Sequence, residues 1–410
     1  STHMLKRHSD HKAEVIGLLD VGTSKICCLI VERRQDPRTG ALGGVRFLGF
    51  GHQRARGMKA GYVTDMDEAE TSVRTAISQA EAAAGVTLED LVLNITCGRM
   101  KSTHFCAHAD LDAGYVRPAD LDRLYDGASA YAERGGRAVV HLNRISYLLD
   151  GQPGVSQPLR MAGRRLSAQY HAVTVDEPAL ENSQLLVRRT LLGVRQSIPA
   201  GLASAIVVTS AEERHHGVIV VDIGEGTTDI AVMAEGRFMF AGVLPVGGGF
   251  LTYDLAKALM TPLAEAERIK TLYGTMLSAD SNDQQTIEYH LAAGDDAETG
   301  YATRSEVRRI IYPRMVGQLR LLREQLDANR AIRDADYSVV LTGEGSQLVG
   351  LPAIAADVLD RPVRLGQPRL EGGLPVALQS PAFATLVGMV AVAAPRRSAW
   401  AGSAATGRVA

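Results

Sequence analysis

The chain has 410 residues, enough for roughly two to four packing units. It is 46% hydrophobic and 22% charged, the balance of an ordinary soluble globular protein, and a net charge of −2 leaves no field that would draw nucleic acid or a membrane surface. No apolar run reaches the roughly 18 residues needed to span a bilayer, and the four cysteines (Cys27, Cys28, Cys97, Cys106) lack zinc-like pairing and read as buried, reduced thiols of a cytoplasmic protein.

Ser1-Thr2-His3 ahead of Met4 reads as a cloning scar, and residues 1–14 are polar and expected to be disordered. Residues 15–31, VIGLLDVGTSKICCLIV, read as a hairpin: apolar strand, Asp20, Gly22, Thr23-Ser24, Lys25, apolar strand. A turn-rich link (36–44) and a third strand (45–51) follow. Residues 68–84 have helical spacing, with Asp67 as candidate N-cap and Gly85 as stop. Residues 86–168 differ in texture, with a strand at 91–97, a helix at 118–134 and extended pieces at 138–149 and 158–172. They carry no catalytic constellation, and His104, His108 and His141 are too scattered to suggest a metal. An amphipathic helix (178–192) and an apolar stretch (198–209) lead to residues 218–233, VIVVDIGEGTTDIAVM.

That stretch repeats the design of the first hairpin. An apolar strand ends at Asp222, a Gly224-Glu225-Gly226 turn follows, then Thr227-Thr228-Asp229 and a second apolar run. Glycines let backbone N–H groups approach an anion, and a carboxylate at a strand end can hold Mg²⁺ through its water shell beside phosphate oxygens. One such hairpin could be an ordinary glycine turn; two similar halves could pinch one nucleotide. A third glycine turn closes a strand in SVVLTGEGS, residues 338–346. Gly247, Gly248 and Gly249 open a helix, so free N–H groups are expected there. Glu267 and Lys270, three residues apart, share a helix face. Residues 278–300 read as a loop or edge hairpin, and 304–329 as a long basic helix kinked or split at Pro313. A late strand (363–368), a last buried helix (381–394) and a small-residue linker (396–410) complete the chain.

The two hairpins resemble the phosphate-1 and phosphate-2 loops of the actin superfamily, and LTGEGSQLVGL resembles its adenosine motif. Within that superfamily the chain resembles the FtsA family. GMKAGYVTDMDEAETSVRTAISQAE and the segment VVHLNRISYLLDGQPGVSQPLRMAGRRLSAQYHAVTV carry the likeness. The resemblance implies an α/β, actin-like two-lobed fold of two RNase H-like domains, with the FtsA-type subdomain 1C in place of actin 1B. Subdomain 1A would be residues 15–85 and 169–197, 1C 86–168, 2A 198–250 and 331–395, and 2B 251–330.

The resemblance also assigns roles. Asp20 and Asp222 would position Mg²⁺. Gly22, Thr23, Ser24, Gly224, Gly226, Thr227 and Thr228 would hold the phosphates of ATP, with Lys25 adding charge. Gly248 would face the ligand, Glu267 and Lys270 would contact ribose and base, and Gly343, Gly345 and Ser346 would flank adenosine. Arg304 and Arg308 would meet the C-terminal tail of FtsZ. The implied function is a polymerising adaptor that tethers the FtsZ ring to the cytoplasmic membrane at the septum and recruits later division proteins. It would bind no nucleic acid, and it would be a peripheral membrane protein only through a C-terminal amphipathic helix after the linker, a helix expected to be absent from the sequence as given, which should therefore bind membrane poorly. Actin's water-orienting glutamine has no counterpart in IPAGLASA, Gln196 lying just upstream, so weak or negligible ATP hydrolysis is expected. Two positions depart from the family's glycines, Glu225 and Glu344. The alternatives are an FtsA-like pilus-assembly protein of the PilM type and a metabolic kinase; the second lacks a catalytic acid facing a substrate cleft.

Overall fold

The computed structural model describes residues 13–36, 39, 41–278, 282–292 and 298–396. Residues 1–12 and nearly all of the expected linker, 397–410, lie outside the described residues, while Ala13 and Glu14 already belong to the first strand. Two five-stranded sheets dominate. The first runs Gly193–Pro199, Asp90–Ile95, Ala13–Val21, Lys25–Gln35, Leu42–Arg54. Ala13–Val21 pairs antiparallel with Lys25–Gln35, placing Asp20 opposite Cys27, and parallel with Asp90–Ile95. The second runs Arg237–Leu244, Thr228–Ala234, Val218–Ile223, Ser338–Thr342, Val363–Leu365. Its central strand repeats the plan: Val218–Ile223 is antiparallel to Thr228–Ala234, with Asp222 opposite Asp229, and parallel to Ser338–Thr342. Consecutive residues of a strand face opposite sides, so the unbroken burial of Ile26 to Val31 and of Val218 to Ile223 means both faces of each sheet are covered.

The helix Met66–Ala84 starts one residue ahead of the expected cap: Asp65, not Asp67, accepts from Glu68 N at 3.0 Å, and Gly85 stops it at φ 68°. The basic helix is continuous over Arg304–Ala328, capped by Thr303 and Glu306. Pro313 neither splits nor ends it, because the proline and Arg309, whose carbonyl loses its partner, both face water. The segment before it is the hairpin Thr286–His290 with Thr299–Thr303.

Between the lobes' strands sits a four-stranded sheet, Lys101–Asp110, Arg165–Asp176, Arg137–Leu149, Gln152–Val155, with the helix Pro118–Ala132 packed on it through Leu124 and Ala128. The polar strand Lys101–Asp110 was not evident from sequence, because its residues are mostly exposed; it is held by pairing along the length of Arg165–Asp176. This unit docks on the edge strand of the second sheet. Ser102 Oγ accepts from Ala241 N at 2.8 Å, and Asn143 Nδ2 donates to the Phe238 carbonyl at 3.0 Å. Side chains thus satisfy an otherwise unpaired strand edge.

Two expectations are corrected here. His104 and His141 are not scattered: with His171 they gather around Phe238, His104 stacking on His171 at 5.0 Å and both His171 and His141 meeting the Phe238 ring edge-on, at 4.9 and 5.3 Å. Only His108 lies apart, against Ser167. Cys106 is exposed, on the polar strand, whereas Cys27, Cys28 and Cys97 are buried free thiols.

Candidate functional site

The two glycine turns meet. Asp20, Gly22, Thr23, Ser24 and Lys25 from the first hairpin line the same cavity as Asp222, Gly224, Gly226 and Thr227 from the second. Contact is direct: a Cβ on Gly226 would lie 2.4 Å from Thr23 Oγ1, so the turns could not close with any larger residue there. The third turn contributes Gly343 and Glu344 to the same cavity. Gly343 has φ 84°, and a Cβ there would strike Asp222 Oδ1.

Burial sets the electrostatics. It pushes the Asp20 carboxyl up to about 6, with Lys25 opposing and Asp222 adding to the rise. Burial also raises Asp222, opposed by hydrogen bonds from Ser204 and Thr385 and by Lys25. Asp229 is held well above the usual carboxylate range by burial and by neighbouring Asp222. Three acids, Asp222 and Asp229 buried and Asp20 half-buried, therefore share one cavity with Lys25, whose Nζ donates to the Ala382 carbonyl at 3.1 Å.

Other expected residues have different partners. Thr228 Oγ1 donates to the Val246 carbonyl at 2.9 Å, and the buried Ser346 hydroxyl donates to the Gly343 carbonyl at 2.6 Å. The free N–H groups expected at the glycine-opened helix are not free. Gly248 N donates to the Gly224 carbonyl at 2.8 Å and Gly249 N to the Glu225 carbonyl at 2.9 Å, which fastens that helix to the second turn. Gly345 packs against Ile223, since a Cβ there would sit 2.4 Å from its methyl. Lys270 Nζ lies 2.9 Å from Glu267, 3.5 Å from Glu225 and 3.1 Å from the Gly248 carbonyl. Glu225, Glu267 and Glu344 converge around it, with carboxylate oxygens within 4.8 Å of one another. Burial raises the Glu225 carboxyl, opposed by Lys270.

Several cleft residues escaped sequence reasoning. Thr96, at the end of the first sheet's parallel strand, bonds across to Asp229 and Thr227 of the second lobe. Ser204 and Thr385 both donate to Asp222 Oδ2, the latter at 2.8 Å. Asn94 Oδ1 accepts from Val21 N at 2.8 Å beside the first turn. Their neighbours are remote in sequence, and only the Thr227-Thr228-Asp229 run offered a local signal. Away from the cleft, Arg304 and Arg308 lie one turn apart at the start of the basic helix. Arg304 Nε donates to the Tyr273 carbonyl at 3.3 Å, and Arg308 lies 3.9 Å from Asp283.

Comparison with known proteins bears on this arrangement. A family profile described as "Cell division protein FtsA" matches residues 219–388, and one described as "SHS2 domain inserted in FTSA" matches 98–174. A cell division protein FtsA of Agrobacterium fabrum is 35% identical over 391 residues, covering 94% of this chain and 88% of that one. The chain belongs to the FtsA family. FtsA of Escherichia coli, 31% identical over 383 residues, covers 92% of this chain and 89% of its own. The small sheet between the lobes is the SHS2 insertion of the FtsA family, and the role that membership carries is one in cell division. Solved structures agree on an actin-like fold: a PilM–PilN type IV pilus biogenesis complex has a TM-score of 0.59 at 17% identity, covering 91% of this chain and 96% of that chain. MreB5 of Spiroplasma citri bound to ADP scores 0.52 at 12% identity, covering 92% and 95%. At such identity the pilus protein shares the fold alone, and it is FtsA that shares the sequence. Among the described residues no helix is long and apolar enough to cross a membrane.

Proposed function

We propose that this FtsA-family protein binds ATP with Mg²⁺ between its paired turns, assembles with copies of itself, and acts as the adaptor that ties the FtsZ ring to the cytoplasmic face of the membrane and recruits later division proteins. The observation that carries the nucleotide reading is the contact of Gly226 with Thr23, which sets Asp20 and Asp222 in one cavity. The donor set fits a hard cation, because a buried and a half-buried carboxylate, both raised by desolvation, gain most from one. Mg²⁺ there would neutralise charge on the phosphates. Backbone groups of Gly22, Gly224 and Gly226 and the hydroxyls of Thr23, Ser24 and Thr227 would hold the phosphates, with Lys25 as a point charge. Glu267, Lys270, Gly343 and Gly345 would border the nucleoside; Thr228, Gly248 and Ser346 would support the turns from behind. The two five-stranded sheets would be subdomains 1A and 2A, and the basic helix part of 2B.

Hydrolysis would be weak. The crossing helix Ala200–Val208 presents no acid or amide to the cavity, and Gln196 instead accepts from Ala394 N at 2.8 Å. Arg304 and Arg308, with the exposed Tyr301 three residues before the first, would receive the acidic, apolar FtsZ tail. The test is equilibrium binding of ATP with Mg²⁺ and, separately, of an FtsZ C-terminal peptide. Saturable ATP binding lost in Asp222→Ala, and peptide binding lost in Arg304→Glu, are expected. A chain indifferent to adenine nucleotides would end the first reading, and one indifferent to the peptide the second.

A further inference from the structure

The last described helix, Ala384–Val392, touches the cleft at one end and a cluster of Arg33, Arg195 and Glu14 at the other. At its start, Thr385 Oγ1 donates to Asp222 Oδ2 at 2.8 Å and lies 2.9 Å from Ser204 Oγ. Just before it, the Ala382 carbonyl accepts from Lys25 Nζ, which also stands 4.4 Å over the Phe383 ring. At its end, Arg33 is fully buried, donates to the Val390 carbonyl at 2.7 Å and bonds the Ala393 carbonyl as well. Arg195 donates to the Ala394 carbonyl at 2.7 Å, and Gln196 accepts from Ala394 N. Glu14 pairs with Arg195 at 3.1 Å and accepts from Arg396 N. In the middle Gly388 lies against the crossing helix so closely that a Cβ would sit 1.8 Å from the Ala203 carbonyl. The two helices therefore move as one body or not at all.

We infer that this helix is a lever that carries the occupancy of the cleft to the clamp that Arg33, Arg195 and Glu14 make on residues 390–396. The inference rests on the nucleotide reading above. Its physical basis is competition at a single turn. A cation on Asp222 competes with the Thr385 and Ser204 hydroxyls for the same carboxylate, and a phosphate competes with the Ala382 carbonyl for the same ammonium. Both contacts that a ligand changes belong to the first turn of this helix or the residues leading into it. The helix spans only roughly 13 Å. Its far end is buried in the apolar core through Met389, Val390, Val392 and Ala393 and is also clamped by hydrogen bonds to the Val390, Ala393 and Ala394 carbonyls, so a shift there exchanges discrete bonds. The clamp on residues 390–396 thus loosens or tightens according to what fills the cleft.

The test is hydrogen exchange of amides 389–396 in the full chain, with and without ATP and Mg²⁺, beside equilibrium dialysis of ATP. Wild type should show exchange in this segment changed by about threefold or more on loading, as expected of a local opening equilibrium shifted by a ligand. Thr385→Val, which keeps the shape and removes the hydroxyl, should at least halve that change when each protein is compared at the ATP concentration that saturates it in the dialysis, and Thr385→Ser should restore it. Bound ATP with unchanged exchange at 389–396, or an equal response in Thr385→Val, overturns the lever alone. Failure of wild type to bind ATP in the dialysis overturns the nucleotide reading and the lever with it.

Discussion

Thr96 Oγ1 lies 2.8 Å from Asp229 Oδ2, a hydrogen bond that joins the first lobe to the second across the floor of the cleft. Both residues are buried, and Thr96 supplies the carboxyl's sole side-chain hydrogen-bond partner among the described residues. Thr96→Val keeps the shape and removes the bond, which leaves a buried polar group unmet. A loss on the order of 1–3 kcal/mol is expected, read as a lower urea midpoint. An unchanged midpoint would show that water replaces the hydroxyl and that the lobes are not tied there.

Glu344 places a third carboxylate beside Glu225 and Glu267, whose neighbour Lys270 leaves the cluster with a surplus of negative charge. A polyanionic ligand in the same cavity is repelled by that surplus. Glu344→Gly should tighten ATP binding by roughly 1 kcal/mol, about fivefold, the size of one partly screened charge interaction. The measurement is a titration at low and high salt, where the gain should shrink as salt screens it. Equal affinity of both chains at low salt would mean that the side chain turns out to solvent when nucleotide arrives.

The seam between the SHS2 insertion and the second lobe should weaken in acid. Burial pushes the His141 imidazole down to about 4, and burial with neighbouring His104 and His141 holds His171 well below its ordinary value. Each folded value lies below that of the unfolded chain, near 6.5. The unfolded chain therefore takes up the proton first. The stabilising contribution is complete above about pH 6.5 and drains away as pH falls toward 4, by at most roughly 1.4 kcal/mol per pH unit for each histidine. His141 retains some solvent contact, which discounts its share. Urea midpoints of wild type and His141→Phe between pH 7 and 4.5 should diverge, the variant falling less steeply. Parallel curves would assign the acid sensitivity to carboxylates.

The part of this architecture that was legible in sequence is the part that is local. A strand, an acid and a glycine turn occupy consecutive residues, so 15–31 and 218–233 declare their hairpins and their likeness without any tertiary information. What fastens the site together is not local. Asp222 is met by Ser204 and Thr385, the latter 163 positions away, and Thr96 meets Asp229 across 133. Nothing in the composition of the final apolar helix marks Thr385 as the residue that turns to an acid. The glycine run before residue 250 misled for the opposite reason. Its N–H groups look unpaired in a helix start, but the carbonyls of the second turn fold back to accept them. The strand carrying Cys106 was hidden because polar alternation on a half-exposed edge resembles a loop.

That exposed strand allows one inexpensive check on the whole arrangement. Cys27 and Cys28 sit back to back in a strand covered on both faces, and Cys97 is buried at the end of the first sheet. Burial pushes the Cys27 thiol up to about 12, raises Cys28 further, and moves Cys97 up to about 11. Thiolate is the species that attacks, so all three are shielded twice, by access and by charge. Cys106 has neither protection from depth nor a disulfide partner. In the native state one thiol of four should react promptly with a chromogenic disulfide at pH 8, and all four after unfolding in guanidinium. Cys106→Ser should abolish the prompt phase without altering the slow one. Two prompt thiols in wild type would mean that one of the two sheets is open on a face, and the packing described for the first lobe would have to be abandoned.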